Sequence, residues 1–88
     1  MGNSDLTLVY TFAKGKNIKV GFSASKKVGN SPQRHRAIRV MREAVKPLVD
    51  QMKENHYYIF VAKEGVGDKK SHEVQKSVEH ILKKANLI

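Results

Sequence analysis

Between Ser25 and Ala44 the chain reads S-K-K-V-G-N-S-P-Q-R-H-R-A-I-R-V-M-R-E-A, a run of lysines and arginines with a single acid near its end. Lys26 and Lys27 precede a Gly-Asn pair, and Arg34, Arg36, Arg39 and Arg42 follow, with Lys46 extending the series. The chemistry such residues can do is anion recognition. A guanidinium fork pairs bidentately with a phosphate or a base edge, which a lysine cannot do. A helix starting just after the Lys-Lys-x-Gly-Asn loop adds backbone amides and the positive end of its dipole. Bond-breaking chemistry has no such support. No carboxylate pair adjoins the block and no nucleophile stands beside a base, so no catalytic residue is expected. Zinc is not expected either: the chain has no cysteine, and His72 and His80 would lie about 80° apart on a helix. Gly65-Val66-Gly67 lacks the strand-to-helix setting of a phosphate-binding loop.

The charge is confined. Residues 14 to 46 hold ten Lys/Arg (Lys14, Lys16, Lys19, Lys26, Lys27, Arg34, Arg36, Arg39, Arg42, Lys46) against Glu43 alone, which accounts for the whole formal charge of +9. The other 55 residues carry seven bases and seven acids. A merely solvated helix face would interleave acids to form i,i+4 pairs. Between residues 31 and 46 only Glu43 is available, so the block reads as a surface for a polyanion.

The elements that must carry this block follow from periodicity. At 88 residues, with 40% hydrophobic and 28% charged residues, the chain is one small folded domain. No apolar run approaches a membrane span and no signal peptide opens the sequence. Together with the lack of cysteine, this fits a cytoplasmic protein. Leu6–Phe12 alternates, with Leu6, Leu8, Tyr10 and Phe12 on one face. Ile18–Ser25 alternates with Ile18, Val20, Phe22 and Ala24 inward. Lys14-Gly15-Lys16-Asn17 between them suggests an antiparallel hairpin. Ser31 is expected as N-cap with Pro32 at the first helical position. Ala37, Ile38, Met41, Ala44, Val45, Leu48, Val49 and Met52 then fall on a core face, with a kink or restart at Pro47. His56–Lys63 reads as a buried strand and Glu64–Lys70 as a mobile loop. Ser71 is expected to cap a last helix with core face Val74, Val78, Ile81, Leu82 and Ala85. The order is β-β-α-β-α, an α+β two-layer sandwich.

The pattern S-K-K-V-G-N-x(3)-R-H-R-x(2)-R-x(2)-R-E-A strongly resembles the signature of the bacterial ribonuclease P protein subunit. The IKVGFSAS strand before it and the Tyr-Tyr-Ile-Phe-Val-Ala strand after it also sit where that family has them. The resemblance spans Leu6 to Leu87. It implies a small basic partner of a catalytic RNA that removes the 5′ leader from precursor tRNA, with the RNA holding the catalytic Mg2+ ions. It also implies the family's left-handed βαβ crossover, the fold of the second domain of a small-subunit ribosomal protein. By position, the RNA contacts would be Lys26, Lys27, Asn30, Arg34, His35, Arg36, Arg39 and Arg42, with Lys46 continuing the stripe. The leader cleft would involve Leu8, Tyr10, Ser23, Lys27 and His35.

Three departures stand out. His35 replaces the family's central Asn, and Ile38 replaces a usual Lys. The family also begins with a helix that supplies aromatic residues to the leader cleft, and the chain has no counterpart, so one sheet face is expected to lack a cover. That face could pair two copies into a homodimer. The alternatives carried forward are a structural ribonucleoprotein or a general RNA-binding protein with no role in cleavage, and a stand-alone nuclease using His35 as base.

Overall fold

The structure, a computed structural model, describes residues 2, 5 to 15 and 18 to 88. Its elements are β1 (Leu6–Phe12), β2 (Ile18–Ala24), α1 (Ser31–Val45), β3 (His56–Ala62) and α2 (Ser71–Lys84). Short 3-10 turns stand at Lys26–Val28, Lys46–Gln51 and Val66–Asp68. Strand order is β1-β3-β2, with β3 antiparallel to β1 and parallel to β2. The expected β-β-α-β-α order is present, but β1 and β2 do not form the expected hairpin. β3 lies between them and takes the hydrogen bonds of both. The turn chemistry at Lys14 and Gly15, whose φ is +100°, reverses the chain without pairing its two arms. Lys16 and Asn17 of that turn lie outside the described residues.

Alternation holds in all three strands. Leu6, Leu8, Tyr10 and Phe12 share a face with their register partners Ala62, Phe60, Tyr58 and His56, and with Ile18, Val20, Phe22 and Ala24. This face meets the helices. Ala37, Met41, Ala44 and Val45 of α1, Leu48 and Met52 beyond it, and Val74, Val78, Ile81 and Leu82 of α2 close the core over Leu6, Leu8, Tyr58 and Phe60. Ile38, Val49 and Ala85, also expected on core faces, are half-buried. Cover is incomplete, however. Along the inner face of β1 exposure climbs from 0% at Leu6 and 1% at Leu8 to 40% at Tyr10 and 70% at Phe12. The sheet's other face carries exposed Val9, Tyr57 and Ile59, so β3 is buried on one side only rather than throughout.

Each helix start lies one residue before its expected position. Asn30, not Ser31, caps α1: its Oδ1 accepts the Gln33 N–H at 3.1 Å while Gln33 Oε1 accepts the Asn30 N–H at 2.9 Å. That reciprocal pair satisfies two backbone donors at once, leaving Ser31 as the first helical residue. At α2, the Glu73 carboxylate accepts the Lys70 N–H at 3.2 Å, which makes Lys70 the cap and places Ser71 inside. Pro47 acts as expected. α1 ends at Val45, and a tighter 3-10 turn restarts over Lys46–Gln51.

The segment Glu64–Lys70 is anchored rather than mobile. Val66 is fully buried, and the Val66–Asp68 turn packs against α1. Beside it, buried Asp5 accepts hydrogen bonds from Lys69 Nζ and Ser77 Oγ, tying the start of β1 to this turn and to α2. Burial pushes the Asp5 carboxyl up. The bonds from Lys69 and Ser77 and the Lys69 charge outweigh that and hold it below the ordinary carboxylate value. With its folded-state pKa below its unfolded one, Asp5 contributes stability in full above about pH 4. That contribution is lost as pH falls through the folded value. Asp5→Asn is therefore expected to cost about 2 kcal/mol at neutral pH. Denaturant unfolding should also show a shallower loss of stability below about pH 4 than in the parent; parallel acid profiles would remove Asp5 from this role.

Candidate nucleic-acid interface

β2 and β3 are parallel, so both end at the same edge of the sheet, and α1 begins there. Ser25 Oγ accepts the Lys27 N–H at 3.3 Å, starting the 3-10 turn that carries Lys26 and Lys27. Gly29, at φ +139°, then redirects the chain into the Asn30 cap. A Cβ at Gly29 would lie 1.9 Å from Gln33 Oε1, so the capping box and the basic loop need glycine at this point.

The cap revises one part of the sequence reading. The Gln33 N–H is taken by the Asn30 side chain, the Arg34 N–H by the Asn30 carbonyl, and Pro32 has none. The helix start thus contributes few backbone donors toward a phosphate. The donors left free to meet an anion at this edge are those of the side chains.

Those side chains divide into two groups. Arg34, His35 and Ile38, with Ser31 and Ala24, line a cavity of about 220 Å³ between α1 and β2. His35, Ile38, Arg39, Arg42 and Glu43 line an open groove of about 680 Å³ further along the same flank. Arg34 donates from Nη2 to Ser31 Oγ at 3.1 Å, and its buried Nε has no hydrogen-bond partner. Arg39 Nε lies 3.5 Å from Glu43 Oε1 in an exposed i,i+4 pair. The Arg42 guanidinium sits 5.6 Å from the centroid of Phe22, which itself stacks on Phe60. Ile38 is half-buried between the arginines, as an apolar floor. Arg36 stands apart, on the other flank of α1. It faces Val28, Gln33, Gly65, Gly67 and Asp68 across a cavity of about 110 Å³. Lys46 is exposed at the far end of the stripe.

The residues assigned to a leader cleft do not gather on one surface. Leu8 is 1% exposed within the core, packed beneath the helices, and is corrected here from a contact residue to a core residue. Tyr10 shares its face but is 40% exposed. Ser23 is exposed on the opposite face of the sheet, Lys27 at its edge, and His35 on α1. Sequence reasoning missed Lys63. It follows β3 directly and joins Ser25, Lys27, Ala62 and Glu64 around a cavity of about 340 Å³. The signal was a base at the end of a strand running parallel to the one that leads into the lysine loop. Among the described residues no three His, Asp or Glu come together as a metal site, and no helix is long and apolar enough to cross a membrane.

A small α+β domain with a neutral remainder and an arginine groove beside a lysine edge is the architecture of an RNA-binding protein. Comparison with known proteins specifies it. A family model described as Ribonuclease P matches residues 1 to 86. The ribonuclease P protein component of Clostridium novyi is 36% identical over 88 residues, covering 97% of this chain and 78% of that protein. That of Listeria welshimeri is 38% identical over 78 residues, covering 86% and 66%. The Staphylococcus aureus RNase P protein superposes with a TM-score of 0.83 at 27% identity, over 99% of this chain and 80% of that one. The Thermotoga maritima protein shares the fold, with a TM-score of 0.83 at 12% identity. The chain belongs to the ribonuclease P protein family, the protein part of a ribonucleoprotein that processes the 5′ end of tRNA.

Proposed function

We propose that this chain acts in the cytoplasm as the protein subunit of ribonuclease P, docking on the catalytic RNA and holding the 5′ leader of precursor tRNA. The observation that carries this reading is the flank of α1 on which Arg34 and His35 line one cavity and His35, Arg39 and Arg42 the adjoining groove. Its only acid is Glu43. RNA docking is assigned to these four with Lys46, and to Lys26, Lys27 and Asn30 at the loop. Arg36, on the other flank, reaches a different part of the same RNA. The leader is assigned to Tyr10, Ser23, Lys27 and His35, with Lys63 added and Leu8 removed. The chemistry belongs to the RNA, whose phosphates would hold the Mg2+ ions that cleavage requires. The protein's part is to neutralise phosphate crowding where leader and catalytic RNA approach.

The test is cleavage of a precursor tRNA at low magnesium by a bacterial ribonuclease P RNA, with and without the chain. Stimulation of at least tenfold is expected, with no cleavage when the RNA is omitted. Tight binding without stimulation would instead favour a structural ribonucleoprotein role. Cleavage by the protein alone would favour a nuclease using His35.

A further inference from the structure

The two arginines of the groove are held in different ways. Arg39 faces Glu43, its i+4 neighbour, through Nε, so part of its donor edge is turned toward an acid. Among the described residues no hydrogen bond or ion pair engages the Arg42 guanidinium. What Arg42 meets instead is an aromatic ring, its Cζ lying 5.6 Å from the Phe22 centroid. Phe22 is half-buried and well anchored. It pairs with Phe60 across the parallel β2–β3 ladder, and the two rings stack with centroids 5.9 Å apart and 21° between their planes. Phe60 is fully buried on the central strand. Contacts therefore run from the middle of the sheet to the groove: Phe60 fixes Phe22, and Phe22 offers a ring to Arg42.

The kind of contact decides what Arg42 can still do. A ring attracts a cation through its quadrupole and takes no N–H bond in return. The guanidinium keeps its five donors for bidentate pairing with phosphate. A free arginine gives up rotamer freedom when it meets a ligand, whereas one resting on a ring has given up part of it beforehand. Leucine at position 22 would serve the packing of β2 nearly as well. It could not hold a cation.

We propose that Phe22 is a positioning residue for docking on the catalytic RNA, holding the Arg42 guanidinium in place with its N–H donors unspent. The identity of the ligand rests on the proposed function above, whereas the hold on Arg42 rests on the ring geometry.

The experiment is a double-mutant cycle of Phe22→Leu and Arg42→Ala, read as affinity of the full chain for a bacterial ribonuclease P RNA. Phe22→Leu alone is expected to weaken binding about fivefold, the factor to which about 1 kcal/mol of side-chain ordering corresponds. With Arg42→Ala already present, it should change affinity no further. Phe22→Tyr, which keeps the ring, should bind like the parent. A merely structural Phe22 would give the same loss in both backgrounds, and that result would overturn the proposal. Parental affinity in Phe22→Leu would overturn it too. Nuclear magnetic resonance of the free protein supplies a readout that needs no RNA. The Arg42 Cδ protons should be shifted upfield by the ring in the parent and in Phe22→Tyr, and the shift should vanish in Phe22→Leu. Its absence from the parent would overturn the hold itself. If the shift is present yet Arg42→Ala binds like the parent, Arg42 leaves the interface and the proposal falls with it. A parent that shows the shift but does not bind the RNA at all removes the proposed function as well.

Discussion

Replacing Arg39 and Arg42 together by alanine will weaken binding to a ribonuclease P RNA about a hundredfold while leaving the protein folded. Each charge-assisted bond to phosphate contributes about 1.5 kcal/mol or more, and two such losses give that factor. Stability changes little because neither arginine is structural. The Arg39 side chain is 82% exposed and, among the described residues, its only ion pair is the solvated one with Glu43, of a kind that contributes a few tenths of a kcal/mol. Arg42 gives up its contact with the Phe22 ring, which at an exposed site amounts to about 0.5–1 kcal/mol. The slope of log affinity against log salt should fall by about two, since each lost phosphate contact leaves a counterion in place. An unchanged salt slope in the double variant would remove this flank of α1 from the interface.

Gly29→Ala should have an effect of comparable size by a different route. Its φ of +139° is poorly tolerated by any residue with a Cβ. The added carbon would also meet Gln33 at Oε1, Cδ and Cβ, the last at 3.0 Å. Swinging the Gln33 amide away relieves the nearest clash but breaks its bond to the Asn30 N–H. Backbone strain and the lost half of the capping box together amount to about 2–3 kcal/mol. The loss would be local in origin and global in effect, because Lys26, Lys27 and Arg34 all take their positions from this turn. Denaturant unfolding should show the loss of stability and titration with the catalytic RNA a loss of affinity. A variant of parental stability would mean the turn has another conformation open to it.

What the sequence disclosed and what it withheld follow a physical division. Core faces were legible because each is set by local spacing. The residues Ala37, Met41, Ala44 and Val45, and likewise Val74, Val78, Ile81 and Leu82, are where their periodicity puts them. The basic groove was legible for the same reason. Pairing was not, because β3 inserts between β1 and β2 through contacts that no local pattern encodes. The turn at Lys14 and Gly15 signalled a reversal, not a partner. The extent of cover was equally hidden. Tyr10 and Phe12 carry the same alternation as Leu6 and Leu8 but lie past the end of the helices, so an inward face there is still a wet one. Lys63 was hidden behind its strand, since its meaning depends on the direction in which β2 runs beside β3.

The central position of β3 also orders events as the chain emerges during synthesis. β1 and β2 leave the ribosome early, yet neither has a strand to bond with until His56–Ala62 follows them. In that interval the basic segment Ser31–Val45 is already exposed, its apolar side uncovered and its arginines free to meet RNA. The last strand made is the one that closes the sheet, so RNA present during translation would meet this basic segment before the domain has folded around it.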